Sequence, residues 1–247
     1  MKLVCLLCFT GCMIYMGSCR KFEREGYLIQ PGIALTFDDY SIDNWYKYLP
    51  LFDSFHVKAT FYISQYHRLN AEQKNKLRII ESRGHEIAYH TTTHPNMLQY
   101  LQLIGMDNLV QYEIYDDLNK MNHDGFYPKT FAYPYGAHNK ILDDRLLKIF
   151  KSVRALNGTR DYSKSVTTTT ANSVLCALGI DNNSNSTGLI EKMMNLASKN
   201  NNCLVLVGHH IEAPRARFQV SYEKLKFILE KARELNMRFY TVSEISL

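Results

Sequence analysis

An α/β fold with a mostly parallel sheet is the class this sequence predicts, and three observations predict it. Short apolar runs alternate with helix-length segments from residue 31 onward. Those runs lack strict alternation of polarity, which suits strands covered on both faces. Several end in residues able to bind metal or move protons, and α/β folds build their sites at the carboxyl ends of strands.

The first strand covers 33–37 in PGIALTFDDY and stops at Asp38 and Asp39. YLPLFDSFHV has helical spacing and precedes a second strand over 59–64. Residues 71–83 combine strong helix formers with one apolar face, and Gly84 is a plausible C-terminal stop. HEIAYH, over 85–90, is a third strand, and a helix over 107–122 follows it. KTFAYPYG (129–136) reads as strand and turn, 142–151 as a helix, and SVRALN as a strand. SVLCALGID, a helix near 187–200 and CLVLVGHH come next, with 182–187 a polar loop. The helix SYEKLKFILEKARELN and a strand in RFYTVSEI complete the pattern. With no internal repeat and no low-complexity linker, residues 31–247 form one domain.

Composition excludes some classes. Hydrophobic residues make up 46% and charged residues 21% of the 247, so a packed core is within reach and whole-chain disorder is not expected. The net charge of +5 contains no run or stripe of one sign, which argues against nucleic acid as a partner. The N-terminus is the exception. MKLVCLLCFTGCMIYMGSC has a lysine, an apolar stretch too short to span a bilayer, then small residues, which is the layout of a secretory signal over 1–19. Met16-Gly17-Ser18-Cys19 resembles a bacterial lipobox, with methionine where leucine is usual. An exported protein anchored to an envelope membrane by lipid on Cys19, followed by a linker over 20–30, is the expectation; a plain cleaved signal is the alternative. Cys5, Cys8 and Cys12 leave with that signal, so Cys176 and Cys203 remain, each in an apolar stretch where a thiol behaves as a small hydrophobe. A disulfide between them is open, and a cysteine zinc site is not expected without a CxxC pair.

YHTTTHP holds His90 and His94 four positions apart. On a helix that spacing would put both rings on one face, as in H-E-x-x-H proteases. Three threonines and Pro95 oppose a helix, and Thr91 stands where the protease glutamate would be. A loop leaving a strand end could still turn both imidazoles onto one ion, although the spacing alone is more often coincidence. Asp38-Asp39 strengthens the case. Adjacent carboxylates after an apolar strand repel unless a cation or proton relieves them, and two histidines with one carboxylate suit Zn²⁺ or another first-row metal. A helix cap or turn is the bland alternative for the aspartates.

Together LTFDD, HTTTH, FAYPYG and LVLVGHH resemble, in order and approximate spacing, the polysaccharide deacetylase (NodB-homology) family over about residues 31–247, near the exported poly-N-acetylglucosamine deacetylase type. The resemblance implies a distorted (β/α) barrel that removes acetyl groups from amino sugars, or less often from O-acetylated glycans. It implies Asp39, His90 and His94 as metal ligands for Zn²⁺, Co²⁺ or Ni²⁺, Asp38 as general base and His209 as general acid. The doubled His210 leaves the last choice open. Tyr135 matches the backbone N–H that holds the oxyanion, and Asp181 the acid that orients the histidine. Two departures stand out. Tyr40 replaces a usual glycine and either crowds or lines the cleft, and Ala132 stands where the family carries an arginine that steadies the base. That absence leaves the tuning of Asp38 unexplained. His56, His67, His85, His123 and His138 read as surface or core polar residues, and Trp45, Tyr46 and Tyr48 as core or cleft border. The expected function is N-deacetylation of a saccharide; the rivals are an O-acetyl esterase on the same site and a silent carbohydrate-binding relative. Oligomeric state is not legible.

Overall fold

The computed structural model describes residues 30–168 and 173–246. The expected signal, Cys19 and all of the linker but residue 30 lie outside the described residues.

The first strand, β1 (Gly32–Asp39), sets the plan. Its alternation is one of size rather than of polarity. Ile33, Leu35 and Phe37 join the large core under the helices, while Ala34 belongs to a separate cluster inside the sheet's closed curve. Thr36 also faces inward, its hydroxyl donating to the Leu206 carbonyl at 2.7 Å, and so does the buried Asp38. The same division holds in β2 (Ala59–Ile63), β3 (Glu86–Tyr89), β4 (Thr130–Ala132) and β5 (Ser152–Leu156). Phe61, Tyr89, Phe131 and Val153 point out to the core, and Tyr62, Ala88 and Ala132 point in. Period-two side-chain geometry requires this once both faces are buried.

After the short β6 (Val166–Thr167) come β7 (Ser173–Gly179) and β8 (Cys203–Gly208). Strands β1, β2, β3, β4, β5, β7 and β8 pair side by side in parallel, and β8 pairs back onto β1 from Gly32↔Cys203 to Phe37↔Gly208. A closed seven-stranded parallel barrel with surrounding helices results, the distorted (β/α) barrel expected. The distortion has two sources. On one side of β1, residues 32–33 pair with β11 (Arg238–Phe239) before β2 takes over at Leu35. Beside β8, the antiparallel β6 occupies Cys203 and Leu204, and β7 pairs only from Leu206. A separate parallel pair, β9 (His210–Ile211) with β10 (Gln219–Val220), follows β8.

Helix starts obey their caps. Asn70 and Gln73 form a reciprocal capping box at Ala71–Ser82, which ends before Gly84 at φ +86°. Ser186 and Ser221 cap Thr187–Lys199 and Tyr222–Glu234.

Three elements differ from expectation. The helix over 107–122 is present as one run from Met106 to His123, but it carries a π turn at Val110–Tyr115 between Met106–Leu109 and Asp116–His123, and a separate helix, Met97–Ile104, precedes it across Gly105 at φ +78°. The helix over 142–151 spans Lys140–Leu146. RFYTVSEI contributes only β11, because Thr241 and Glu244 form a capping box that turns Val242–Ile245 into a helix. That helix shuts the amino-terminal end of the barrel. Tyr240, Val242 and Ile245 join the interior cluster, the Val242 N–H donates to Thr60 Oγ1 at 2.9 Å, and the Ser243 N–H donates to half-buried Glu86 at 2.9 Å. Trp45 stands in the core, its ring tilted against Phe37 and Phe61, rather than on a cleft. Cys176 and Cys203 are free thiols.

Gly32 is where the plug meets β1. A Cβ there would fall 2.6 Å from the Arg238 carbonyl oxygen and collide with the Tyr240 ring. Gly32→Ala is expected to cost about 1–3 kcal/mol, and a thermal melt unchanged from wild type would count against this packing.

Candidate active site

Every motif residue predicted from the sequence arrives at one mouth of the barrel, by the loops that follow the strands. Asp38 and Asp39 end β1, and His90 follows β3 directly. Oδ1 of Asp39 lies 3.3 Å from Nε2 of His94 and 3.8 Å from Nε2 of His90. The three residues offer ligand atoms within 4.8 Å of one another, the one such group among the described residues.

The local backbone is forced into this shape. Asp39, Thr91, His94 and Tyr135 all have positive φ, at 85°, 72°, 65° and 59°. For a β-branched threonine this is uncommon and costs energy of order 1–3 kcal/mol. Thr91 Oγ1 compensates by accepting from the His94 N–H at 3.0 Å. The rest of the loop hangs on Glu113, which is fully buried in the π turn. One carboxylate oxygen accepts from the Thr93 N–H at 2.8 Å and the other from its hydroxyl at 2.6 Å. The Glu113 carbonyl accepts from the Thr92 N–H and the Tyr89 hydroxyl. A π turn displaces one residue out of helical register and is frequent at functional sites; here it turns a carboxylate toward the histidine loop.

The donor set fits a divalent cation. His90 Nδ1 stands 2.7 Å from the Ala132 carbonyl oxygen, which can only accept, so Nδ1 carries the proton and Nε2 presents its lone pair to Asp39. Burial pushes the His90 ring down to about 4, so it is neutral at physiological pH. Two imidazoles and one carboxylate gathered this closely could hold a first-row metal.

Asp38 differs from its neighbour. It is buried, and burial alone would raise its carboxyl. Arg154, with lesser pulls from His90 and His209, instead holds it below the usual carboxylate range. Nη2 of Arg154 donates to both Asp38 oxygens, at 2.6 and 2.5 Å. The sequence reading missed Arg154. Its signal was an arginine in the middle of SVRALN, a strand that otherwise reads as buried, and a buried arginine is rare unless paired.

Across the mouth, His209 follows β8, and its Nδ1 lies 2.6 Å from Asp181, which also accepts from the His209 N–H at 3.2 Å. Burial works against the charged ring, but the Asp181 hydrogen bond and the nearby carboxylates raise it above the ordinary histidine value. His210 turns elsewhere, its Nε2 3.3 Å from the Ser41 hydroxyl, and burial lowers it. The short helix after β1, Ile42–Lys47, clasps this stretch: Trp45 Nε1 donates to the His209 carbonyl at 2.8 Å, and Asn44 bonds both the N–H and the carbonyl of Ile211. Phe218 faces the His209 ring at 5.2 Å. Tyr135 is 65% exposed with its ring edge-on to His94, so it stands at the entrance. Tyr40 also lines that rim, under the Arg68 guanidinium at 5.8 Å. Among the other histidines, His67 pairs with Asp117 and His138 with Asp143, while buried His85 accepts from the Ala59 N–H.

Comparison with known proteins agrees with this geometry. A family model described as polysaccharide deacetylase matches residues 27–151. A peptidoglycan-N-acetylglucosamine deacetylase of Bacillus cereus is 33% identical over 116 residues, a stretch covering 46% of this chain and only 38% of that enzyme. Among solved structures, the Xyl-CE4 domain of a multidomain xylanase from the hindgut metagenome of Trinervitermes trinervoides superposes with a TM-score of 0.56 at 21% identity, covering 87% of this chain and 89% of that one. The chitin deacetylase of the fungus Colletotrichum lindemuthianum gives 0.53 at 18% identity, covering 89% of each. At these identities the superpositions establish the shared fold.

Glu113 supports the histidine loop without touching Asp39, so its loss should register in metal binding. Glu113→Gln, which replaces one acceptor by a donor facing Thr93, is expected to weaken Zn²⁺ about 10–100-fold in a chelator competition. Affinity equal to wild type would show that the loop holds its shape without this carboxylate.

Proposed function

This chain is a member of the polysaccharide deacetylase family, and from that premise we propose that it is a metal-dependent hydrolase removing acetyl groups from N-acetylated saccharides. The observation that carries the reading is the convergence, at one barrel mouth, of three metal-type ligands with an ionised Asp38 and an Asp181-backed His209. The resemblance over 116 residues to an enzyme acting on peptidoglycan N-acetylglucosamine supports an N-acetyl amino sugar as the substrate class.

At Asp39, His90 and His94, bound Zn²⁺, Co²⁺ or Ni²⁺ would supply Lewis-acid polarisation of the acetyl carbonyl. The protein's own groups do the proton work. Asp38, kept ionised by Arg154, takes the proton of the attacking water. The backbone N–H of Tyr135, at the entrance, donates to the oxygen on which negative charge develops. His209, its Nδ1–H held by Asp181, delivers a proton from Nε2 to the leaving nitrogen. Two groups pushed in opposite directions, Asp38 down and His209 up, give base and acid at the same neutral pH. An exported enzyme anchored through Cys19 is part of the proposal.

Acetate release from chito-oligosaccharides, poly-N-acetylglucosamine and acetyl-xylan tests it. Release from the first two that falls about 10²–10⁴-fold in Asp38→Asn is expected. Release from acetyl-xylan alone would replace the reading with an ester hydrolase, and no release from any would favour a binding protein. His90→Ala should lose the metal that purified wild type holds near one per chain. A separate expectation concerns pH. His209 works in its charged form, and Asp181 raises its pKa, so activity is lost as pH rises through that value. Asp181→Asn should move the alkaline limb of the kcat/KM profile to lower pH. A limb that stays in place would remove Asp181 from this role.

A further inference from the structure

The arginine missing at Ala132 has a counterpart one strand over. Ala132 on β4 and Arg154 on β5 are register partners in a parallel pair. Both face the barrel interior: Ala132 in the inner cluster with Ala88 and Tyr62, and Arg154 wholly buried with its guanidinium 5.1 Å from the Tyr62 ring centre. Neighbouring strands stand about 4.8 Å apart, so a long side chain rooted at either position enters the same space and reaches the same carboxylate. Two long side chains cannot share it. The alanines at 88 and 132 leave the volume that Arg154 fills.

The pair with Asp38 makes poor sense as a stabilising device. Only Nη2 is engaged, and the buried Nε and Nη1 have no hydrogen-bond partner. A buried cation with idle donors is expensive, and apolar residues of similar size often serve a fold as well or better. What Arg154 does supply is a fixed position for the Asp38 carboxylate at the rim of the metal-ligand cluster.

We propose that Arg154 is the positioning residue for Asp38, acting from β5 in place of the arginine that the family carries on β4, and that positions 132 and 154 are exchangeable, arginine on one requiring a small residue on the other. The proposal rests on the deacetylase reading.

Moving the arginine back tests it. Zn²⁺-loaded wild type, Arg154→Ala and the double variant Arg154→Ala/Ala132→Arg are compared for kcat, KM and bound metal on one acetylated oligosaccharide. Arg154→Ala should lose about a hundredfold in kcat with KM and metal content little changed. Adding Ala132→Arg should restore about tenfold or more of that loss. A second cycle covers the case in which the transplanted arginine prevents folding: if Arg154 acts through Asp38, Asp38→Asn/Arg154→Ala is no slower than Asp38→Asn alone. Three results overturn the proposal: an Arg154→Ala enzyme as fast as wild type, a folded, metal-loaded double variant no faster than Arg154→Ala, or full additivity in the Asp38 cycle. Wild type that releases no acetate overturns the deacetylase reading and this one with it; an active wild type matched by Arg154→Ala overturns this one alone.

Discussion

A carboxylate shut inside a closed barrel needs a fixed positive charge, and the pairing of Asp38 with Arg154 answers that need. Much of the surrounding design follows from it. The strands beside the guanidinium present alanine at 88 and 132, and Tyr62 offers its ring face as a lining. With Asp38 neutralised from within, Asp39 is the carboxylate left facing the histidines and the mouth. Neighbours in sequence thus acquire different chemistry because alternate residues of a strand point to opposite sides. One faces an internal cation; the other stands where an external one can be held.

The histidine loop shows a second constraint. Thr91 and His94 stand on left-handed backbone that an isolated peptide would leave, and the surrounding structure has to hold them there. Glu113 does so from one side through Thr92 and Thr93, and the strand beneath does so through the Ala132 carbonyl on His90. Across the mouth, Asn44 and Trp45 hold the His209 stretch in the same fashion. The chemistry sits at strand ends and loops, and those loops are hydrogen-bonded to residues of neighbouring helical segments.

The fold class, most strands and the clustering of motif residues at one rim were legible in the sequence, because short apolar runs ending in Asp38-Asp39, His90 and His209-His210 are local patterns. Three things were not. The alternation within strands escaped a reading by hydrophobicity, since GIALTFDD alternates large with small inside a barrel covered on both faces. The π turn around Glu113 arises where helical segments meet, which spacing does not encode. Arg154 was hidden because motif reasoning looks along the chain: Ala132 was seen as a gap, while the residue beside it in space lies more than twenty positions later. A functional role belongs to a point in three dimensions, and pairing register can bring a different stretch of sequence to that point.

β1 has partners from both ends of the chain: β2 soon after it, β8 and β11 only near the end. The helix that shuts the barrel is made of the last described residues, Val242–Ile245. Asp38 and Asp39 therefore cannot be seated in a finished barrel until residues roughly 170 to 200 positions further along are available. Closure through such distant pairings is slow compared with local helix formation. β1 is thus completed only by strands far from it in sequence, so a barrel lacking β8 and β11 is unlocked at its centre rather than merely shorter at its edge.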